Sequence, residues 1–403
     1  MNSADVVIAG GGAIGSSVAG HLLSDPAFRG RVLVVERDPS YRLAASALSA
    51  ASIRQQFSQP LNIRMSLYGI AILRGIGRYL AVDDEAPPHI GLREPGYLFL
   101  ADEGHEAALR ENHAGQRREG ADVALLDPTA LSSRFPWLDA AGIALGSLGL
   151  SGEGWFDGWA LLQAFRTKAR RLGAEYVVDE VVGLERAGHR LASVRLRGGG
   201  LVGCGAVVNC AGSQGPAMAL MAEIGIPVQA KRRSVFTFTL RTPLPGAPLL
   251  IDTGGVWMRP DSDGAASGQT FIAGWSPPPD KDPDWRDDDP DTQAVDWPLF
   301  EEVVWPALAA RVPALATLRP GRAWTGPYDM NLFDQNAIIG PADEVSNLYL
   351  ANGFSGHGLQ HAAAVGRGLA ELIVHGRYLT LDLSPLGFGR VAAGRPLRER
   401  SVI

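Results

Sequence analysis

Three glycines near the start of the chain have the spacing of a dinucleotide-binding turn. Gly10, Gly12 and Gly15 directly follow the apolar stretch 5–9. In such a turn the first glycine permits a tight bend, the second lets the backbone approach a pyrophosphate, and the third lets helix pack on strand. Glu36 follows Gly15 by 21 residues (36 − 15), where a carboxylate binds ribose hydroxyls and disfavours NADP. The pattern predicts a dinucleotide site, since a glycine turn without a ligand leaves Glu36 unexplained.

A second glycine-rich stretch, far along the sequence, also lies between a strand and a helix. Residues 352–360 read Asn-Gly-Phe-Ser-Gly-His-Gly-Leu-Gln, between an apolar stretch at 348–351 and a helical pattern that runs to about His375. The N-terminal amides of that helix can stabilise negative charge, such as that of a reduced flavin. Because an NAD site is usually completed within one domain, two distant glycine turns favour FAD. An NAD-linked dehydrogenase with one Rossmann domain is the alternative.

The elements around these motifs are typical of an α/β protein. Strand, helix and strand at 5–9, 13–23 and 31–35 predict a βαβ unit with a buried parallel sheet. Further predicted elements are helices at 104–118 and 159–172, a strand at 174–184, a hairpin of 190–197 with 201–209, and a strand at 234–240.

We expect two domains, because the glycine motifs lie far apart and 403 residues exceed the usual size of one compact domain. One is a discontinuous Rossmann-type FAD-binding domain, and the other is an α+β substrate domain with an antiparallel sheet. The predicted ranges are 1–80, 150–226 and 327–403 for the FAD-binding domain, and 81–149 and 227–326 for the substrate-binding domain. The acidic, proline-rich segment 276–298 is predicted to be a solvated loop, with a lid as the alternative.

Composition argues against several classes of protein. The formal net charge of −6 disfavours a nucleic-acid or anionic-membrane partner, because such partners favour a basic patch. Two cysteines, Cys204 and Cys210, form no metal-ligand pattern, and we predict no metal site. The N-terminus shows no secretory signal, and no stretch has the length of a membrane span. We therefore expect a cytoplasmic monomer or homodimer that acts on a small molecule.

Four segments together resemble the D-amino-acid oxidase superfamily, in particular its sarcosine-oxidase and glycine-oxidase branch. Residues 46–56 are similar to the family's second flavin segment, and 207–212 to its adenine-side element. Residues 353–360 resemble its flavin-edge loop, and Trp155-Phe-Asp157 resembles its helix start. The resemblance covers nearly the whole chain and implies an FAD-dependent oxidoreductase.

A narrower resemblance is to the FAD-dependent oxidoreductase domain-containing subgroup, which is linked to assembly of a respiratory complex. Residues 55–58, 334–336 and 381–385 carry this resemblance. Bacterial relatives of the subgroup include oxidases and dehydrogenases of N-substituted glycines. The resemblance implies oxidation of such a substrate, with a non-catalytic flavoprotein assembly factor as the alternative.

The resemblance also implies that FAD is bound noncovalently, because Pro327 stands where the family's covalent flavin cysteine falls. The expected FAD contacts are Gly10, Gly12, Ala13, Ile14, Gly15, Glu36, Arg37, Ser46, Ala47, Ser49, Ala50, Ala51, Val181, Ala211, Gly212, Gly353, Ser355, Gly356, His357, Gly358, Leu359 and Gln360.

The implied reaction is oxidation of a carbon–nitrogen bond in a small amino acid, such as sarcosine or iminodiacetate. Hydride moves to flavin N5, the imine product hydrolyses, and O2 becomes H2O2. The protein must orient the substrate carboxylate and supply positive potential near the reduced flavin.

The resemblance assigns these tasks to five residues. Arg54 matches a family arginine over the flavin, with a surface or pyrophosphate role as its alternative. Arg259 and Arg322 are candidate carboxylate clamps, although Arg322 could instead position a loop. Tyr328 is a candidate hydrogen-bond donor to the carboxylate, or otherwise a half-buried structural tyrosine. His357 is expected to be a cation at the flavin edge, or otherwise a helix cap.

Departures from the family's pattern leave the electron acceptor open. The lysine that the family uses for O2 activation is absent from residues 270–275, and Gln360 replaces the flavin-edge lysine. A dehydrogenase that passes electrons to a carrier or quinone is therefore the alternative to an oxidase.

Overall fold

The computed structural model describes residues 3–83, 85–261 and 268–401. Its strands, numbered in chain order, are β1 (Ser3–Ala9), β2 (Val32–Glu36), β3 (Ser52–Ile53), β4 (Tyr97–Ala101), β5 (Val123–Leu126), β6 (Leu145–Gly149), β7 (Gly154–Trp155), β8 (Glu175–Val178), β9 (Val181–Ala187), β10 (Arg190–Leu196), β11 (Leu201–Asn209), β12 (Val228–Leu240), β13 (Leu249–Ile251), β14 (Val256–Pro260), β15 (Gln269–Trp275), β16 (Arg319–Asn331), β17 (Ile338–Ala342) and β18 (Val345–Asn352).

The helices in the same parts of the chain range from single turns to five turns. They are α1 (Ala13–Ser24), α2 (Ala45–Leu48), α3 (Pro60–Arg74), α4 (Ile76–Tyr79), α5 (Glu106–Arg118), α6 (Pro128–Arg134), α7 (Gly158–Arg171), α8 (Gly215–Leu220), α9 (Pro290–Gln293), α10 (Trp297–Leu299), α11 (Trp305–Arg311), α12 (Gly358–His375) and α13 (Gly389–Ala392).

The predicted βαβ unit is confirmed as β1, α1 and β2, with β1 and β2 parallel. The turn between β1 and α1 requires glycine at two positions. Gly10 has φ +98°, which L side chains rarely adopt, and a Cβ on Gly15 would lie 2.0 Å from the carbonyl oxygen of Gly10. The helix can therefore start immediately against the end of the strand.

The first large sheet has the order β17-β18-β11-β1-β2-β8, with β10 and β9 continuing from β11. Its strands come from three stretches, all inside the ranges predicted for the FAD-binding domain. Val6 and Ile8 pack into one core and Val7 into another, so β1 is buried on both faces. Such burial explains the uninterrupted apolar stretches of the sequence.

The second large sheet has the order β16-β12-β15-β14-β13-β4-β6-β5. Its neighbouring strands are antiparallel, as predicted, except that β13 pairs with β4 in parallel. The long connection between β4 and β13 makes a parallel pairing sterically accessible. The last strand of this sheet in sequence, β16, crosses the predicted domain boundary at 326/327.

A two-stranded sheet of β3 and β7 connects distant parts of the chain. The strand predicted at 174–184 is two strands, β8 and β9, and the predicted hairpin is confirmed as β10 and β11. Over the described ranges, no helix is both long and apolar enough to cross a membrane.

Candidate active site

A cavity of about 380 Å³ reaches both glycine motifs. Ala9 and Val35 line it from the ends of β1 and β2, while Val235 and Trp257 line it from the second large sheet. Ligands of open α/β sheets bind beyond the carboxyl ends of the parallel strands, and this cavity lies there. The two sheets therefore form the walls of one candidate site.

At the first glycine motif, backbone amides and Glu36 surround the cavity. Glu36 accepts a hydrogen bond from Gly11 N at 2.8 Å and another from Asp38 N at 2.9 Å, which holds its carboxylate in place at the cavity wall. Gly12 precedes α1 without a side-chain cap, and the hydroxyl of Ser46 accepts from Ala13 N at 3.2 Å. Amides in the first turn of a helix lack intrahelical partners and favour a phosphate.

At the second glycine motif, residues 353–357 form a tight turn ahead of α12, and residues 358–360 are the first residues of that helix. The carboxylate of Asp329 accepts hydrogen bonds from Gly353 N at 3.0 Å and Phe354 N at 3.1 Å. Burial raises the pKa of Asp329 to about 6. Gly356 has φ +83°, and a Cβ there would lie 2.2 Å from the hydroxyl oxygen of Tyr328. Position 356 therefore requires glycine, because the backbone there has a positive φ and packs directly against the Tyr328 side chain.

Arg54 follows β3 and brings a buried cation to this end of the cavity. Its relative exposure is 2%. Its Nη atoms donate to the carbonyl oxygens of Gln56 and Ser401, and one Nη lies 3.3 Å from Nε2 of His357. The guanidinium stacks over the ring of Phe57, 3.9 Å from its centroid. Burial lowers the pKa of Arg54, and nearby acidic groups oppose this effect, so the guanidinium stays charged.

His357 is a neutral neighbour of that cation. Burial is the main cause that lowers the pKa of His357 well below 6.5, followed by the positive charge of Arg54. A neutral imidazole can accept a hydrogen bond from the guanidinium. A cation at His357 beside a reduced flavin stays a prediction, and Arg54 brings a positive charge to this end of the cavity.

Comparison with known proteins identifies the family to which this chain belongs. Residues 5–372 match the DAO family, described as FAD dependent oxidoreductase. This chain belongs to the DAO family. FAD-dependent oxidoreductase domain-containing protein 1 of Xenopus laevis is 41% identical and aligns with 99% of this chain and 85% of its own length.

More distant relatives of this DAO-family chain include proteins named as dehydrogenases. Mitochondrial dimethylglycine dehydrogenase of Rattus norvegicus is 27% identical, over 96% of this chain and 45% of that protein. The crystal structure of L-proline dehydrogenase from P. horikoshii has 24% identity and a TM-score of 0.83, covering 98% of this chain and 99% of that one. The likeness to that structure establishes a shared fold.

FAD is the cofactor of this DAO-family protein, and the cavity fits it. Two helices, α1 and α12, begin at the cavity wall, and neither is capped by the side chain of its own N-cap residue. Two helix N-termini at one cavity suit a ligand with a pyrophosphate and an electron-rich ring. The first motif with Glu36 would hold the adenosine and pyrophosphate, and residues 356–360 would hold the flavin edge.

Most of the predicted FAD contacts line the cavity. These are Gly10, Gly12, Ala13, Ile14, Glu36, Arg37, Ser46, Ser49, Ala50, Val181, Ala211, Gly212, Gly356, His357, Gly358, Leu359 and Gln360. The cavity wall does not include Gly15, Ala47, Ala51, Gly353 and Ser355. Gly15 instead packs against β1, and the hydroxyl of Ser355 accepts from Asn331 N at 3.0 Å, so these two residues shape the turns.

Two of the four predicted substrate-binding residues line the cavity, and two do not. Arg54 and Tyr328 line the cavity. Arg259 does not, because its guanidinium donates to the carbonyl oxygen of Ala50 at 2.9 and 3.1 Å and to Asp261 at 2.9 Å. Arg259 thus binds the backbone of segment 46–56 from outside the cavity wall. Arg322 is exposed and lies outside the cavity wall.

Pro327 lines the cavity, where the resemblance places a covalent cysteine in other members of the family. Cys210 also lines it, but beside Gly10 at the opposite end: a Cβ on Gly10 would lie 2.3 Å from the Cys210 carbonyl oxygen. Burial raises the pKa of the Cys210 thiol, which keeps it protonated and a poor nucleophile. Noncovalent binding of FAD stays our prediction.

Among the described residues, no cluster of three or more His, Cys, Asp or Glu could hold a metal.

Sequence reasoning missed Arg233, a cavity residue on β12. Its guanidinium lies 4.5 Å from the ring centroid of Tyr328 and donates to both carboxylate oxygens of Asp282, at 2.5 and 3.1 Å. Tyr97 and Trp257 were also missed and form aromatic parts of the wall. The strand predicted to start at 234 in fact starts at Val228, so Arg233 lies one residue outside the predicted strand but inside the observed one.

Sequence reasoning also missed a buried acid beneath Arg54. The carboxylate of Glu153 accepts from Gln55 N at 2.6 Å, from Gln56 N at 3.1 Å and from Gln56 Nε2 at 2.8 Å. Burial raises the pKa of Glu153 to about 7. Glu153 therefore fixes the backbone immediately after Arg54.

The acidic segment 276–298 is not a solvated loop throughout. Trp285 is buried, and its Nε1 donates to Asp287 at 2.6 Å. Asp287 also accepts from Arg37 at 2.5 Å and from Gln214 at 3.0 Å, and both of these partners line the cavity. The segment is therefore attached to the cavity wall near the first glycine motif. Its acidic residues face cations and amides, which the sequence pattern alone did not show.

Proposed function

We propose that this DAO-family protein oxidises the carbon–nitrogen bond of a small amino acid, and that its substrate is an N-substituted glycine. The observation that carries the proposal is the buried Arg54, a cation in the cavity wall beside the second glycine motif. A buried cation at a ligand site favours an anionic group, and an amino acid offers its carboxylate.

The residues of this end of the cavity would orient such a substrate. Arg54 would bind the carboxylate, and the hydroxyl of Tyr328 would donate a further hydrogen bond to it. Tyr97 and Trp257 would exclude water from the amine, which reacts in its neutral form. Bound FAD supplies the hydride acceptor. The oxidised carbon–nitrogen bond becomes an imine, and water from solvent then hydrolyses it.

We propose O2 as the electron acceptor, with H2O2 as the product, and a carrier or quinone as the second candidate. The observation that favours a carrier is the absence of lysine from the cavity wall in the described ranges. The whole chain has three lysines, Lys168, Lys231 and Lys281. Lys231 Nζ donates to Asp284 at 2.7 Å.

Anaerobic flavin reduction tests the proposal. We expect bleaching of the oxidised flavin band, at about 450 nm, with at least one of sarcosine, dimethylglycine, iminodiacetate, proline and glycine. Arg54→Gln should lower the second-order rate constant for reduction about 10- to 100-fold, because it removes a charged hydrogen bond to the carboxylate. Arg322→Gln is the matched control and should keep the wild-type rate constant.

The same experiment separates the alternatives. No bleaching by any member of the panel, in protein with full FAD content, would favour a non-catalytic assembly factor. Where bleaching occurs, re-oxidation by air with release of H2O2 identifies an oxidase. Re-oxidation only by a dye or quinone identifies a dehydrogenase.

A further inference from the structure

We propose that Glu399 is a positioning residue that holds the Arg54 guanidinium at the cavity wall. The inference rests on the proposed function, in which Arg54 binds the substrate carboxylate. It concerns residues 397–401, which lie behind Arg54 and outside the cavity wall.

Glu399 is fully buried and collects five hydrogen bonds. Its Oε1 accepts from Ser58 N at 2.8 Å, from the Ser58 hydroxyl at 2.7 Å and from Ser401 N at 2.9 Å. Its Oε2 accepts from Gln59 N at 3.0 Å and from Asn62 Nδ2 at 2.9 Å. A carboxylate with so many donors is a rigid junction between two parts of the chain.

Both parts of the chain that meet at Glu399 lead to Arg54. Ser58 lies four residues after Arg54 in sequence, on the loop between β3 and α3. On the other side, Ser401 N donates a hydrogen bond to Glu399, and the carbonyl oxygen of the same residue, Ser401, accepts from Arg54 Nη2. Loss of the carboxylate would therefore loosen the guanidinium from two directions.

The charge of Glu399 adds to this geometry. Arg54 and Glu399 are both buried and carry opposite charges, yet within the described ranges Glu399 forms no ion pair. The negative charge opposes the effect of burial on the pKa of Arg54. The acid thus balances the guanidinium from a distance and leaves it without a direct carboxylate partner, so that a substrate carboxylate can bind it.

Residues 397–399 are also held by hydrogen bonds that do not involve the Glu399 side chain. The effect of the Glu399 carboxylate on Arg54 can therefore be tested without unfolding this segment. Leu397 N donates to Asp334 Oδ2 at 2.9 Å, and Glu399 N donates to the Asp334 carbonyl oxygen at 2.9 Å. Asp334 is itself held by Arg390 at 2.7 and 3.0 Å. These bonds should keep residues 397–399 in place when only the Glu399 side chain is changed.

Glu399→Gln and Glu399→Asp test the inference in the FAD-loaded full chain. The rate of anaerobic flavin reduction is measured against the concentration of sarcosine and of sarcosine amide, which lacks the carboxylate. We expect Glu399→Gln to raise the half-saturating concentration of sarcosine about tenfold. The limiting rate, the FAD content and the response to the amide should stay at wild-type values.

Glu399→Asp keeps the charge and should recover part of the affinity. Arg400→Gln is the control from the same segment, since the Arg400 side chain is 66% exposed, and it should match wild type. Wild-type affinity for sarcosine in Glu399→Gln would overturn the inference, as would an equal loss with sarcosine amide.

A second readout keeps the inference testable if the proposed function fails. Should no amine reduce the wild-type flavin, modification of Arg54 by phenylglyoxal is followed by peptide mass spectrometry. Because Arg54 is 2% exposed, its modification should be slow in wild type and at least about fivefold faster in Glu399→Gln. Equal modification rates would overturn the inference whatever the reaction is.

Discussion

Replacing Glu153 by glutamine should stabilise the protein more at pH 8 than at pH 5. The carboxylate is completely buried beneath Arg54, and burial raises its pKa from 4.5 to about 7. A raised pKa means that the folded chain prefers the protonated acid. The associated stability is fully present below about pH 4.5 and is lost as the pH rises through about 7. Glutamine has no charge and should escape this loss.

The magnitude follows from the change in pKa. An increase from 4.5 to about 7 corresponds to about 3 kcal/mol of unfolding free energy, at about 1.4 kcal/mol per pKa unit. At pH 5 a small part of this loss is already present, because an acid of pKa 4.5 is mostly ionised in the unfolded chain. The advantage of Glu153→Gln should therefore grow by about 2–3 kcal/mol between pH 5 and pH 8. Fixed effects of the substitution on hydrogen bonds cancel in this difference.

The assay is urea unfolding of FAD-saturated protein at the two pH values, followed by circular dichroism. Glu111→Gln serves as the control for removal of a charge, because the Glu111 side chain is 76% exposed. The control should show a free-energy difference that changes little with pH. A difference between Glu153→Gln and wild type that is equal at both pH values, or that shrinks at pH 8, would refute the reasoning.

Two further predictions concern FAD itself. Gly356→Ala should lower the limiting rate of flavin reduction at least about tenfold, since φ is +83° and the new Cβ would lie 2.2 Å from the Tyr328 hydroxyl oxygen; stopped-flow absorbance measures this rate. Asp287→Ala should speed FAD release about tenfold, because it removes the acceptor for Arg37 and Gln214 at the cavity wall. Recovery of free FAD fluorescence after dilution measures that release.

Each of these predictions has a control from the same chain. Gly225→Ala should be silent, since a Cβ there would meet nothing within 4 Å. Asp288→Ala changes an exposed acid next to Asp287 and should leave FAD release at the wild-type rate. Normal flavin reduction in Gly356→Ala, or identical release from the two aspartate variants, would contradict the structural argument.

The FAD end of the site was predictable because its signals are local. Glycine spacing, flanking apolar strands and Glu36 all lie within one βαβ unit, and backbone sterics dictate where glycine must occur. The second glycine motif was predictable for the same reason. Of the FAD contacts that the family resemblance implied in 46–56, Ser46, Ser49 and Ala50 line the cavity, whereas Ala47 and Ala51 do not.

The substrate end was harder to predict, because its side chains are directed by distant partners. Arg259 lies on β14, but the carbonyl oxygen of Ala50, 209 residues away, accepts from its guanidinium and keeps it from the cavity. Arg233 lies in the basic run 231–233, immediately before the strand that was predicted to start at residue 234. The carboxylate that pairs with it, Asp282, is 49 residues away in a segment predicted to be solvated.

The most direct test of the account is a crystal structure of the protein with FAD and a carboxylated amine. We predict the pyrophosphate at Gly10 and Gly12, the isoalloxazine ring against residues 356–360, and the amine's carboxylate on Arg54. An isoalloxazine ring remote from residues 353–360, or a carboxylate bound away from Arg54, would contradict it.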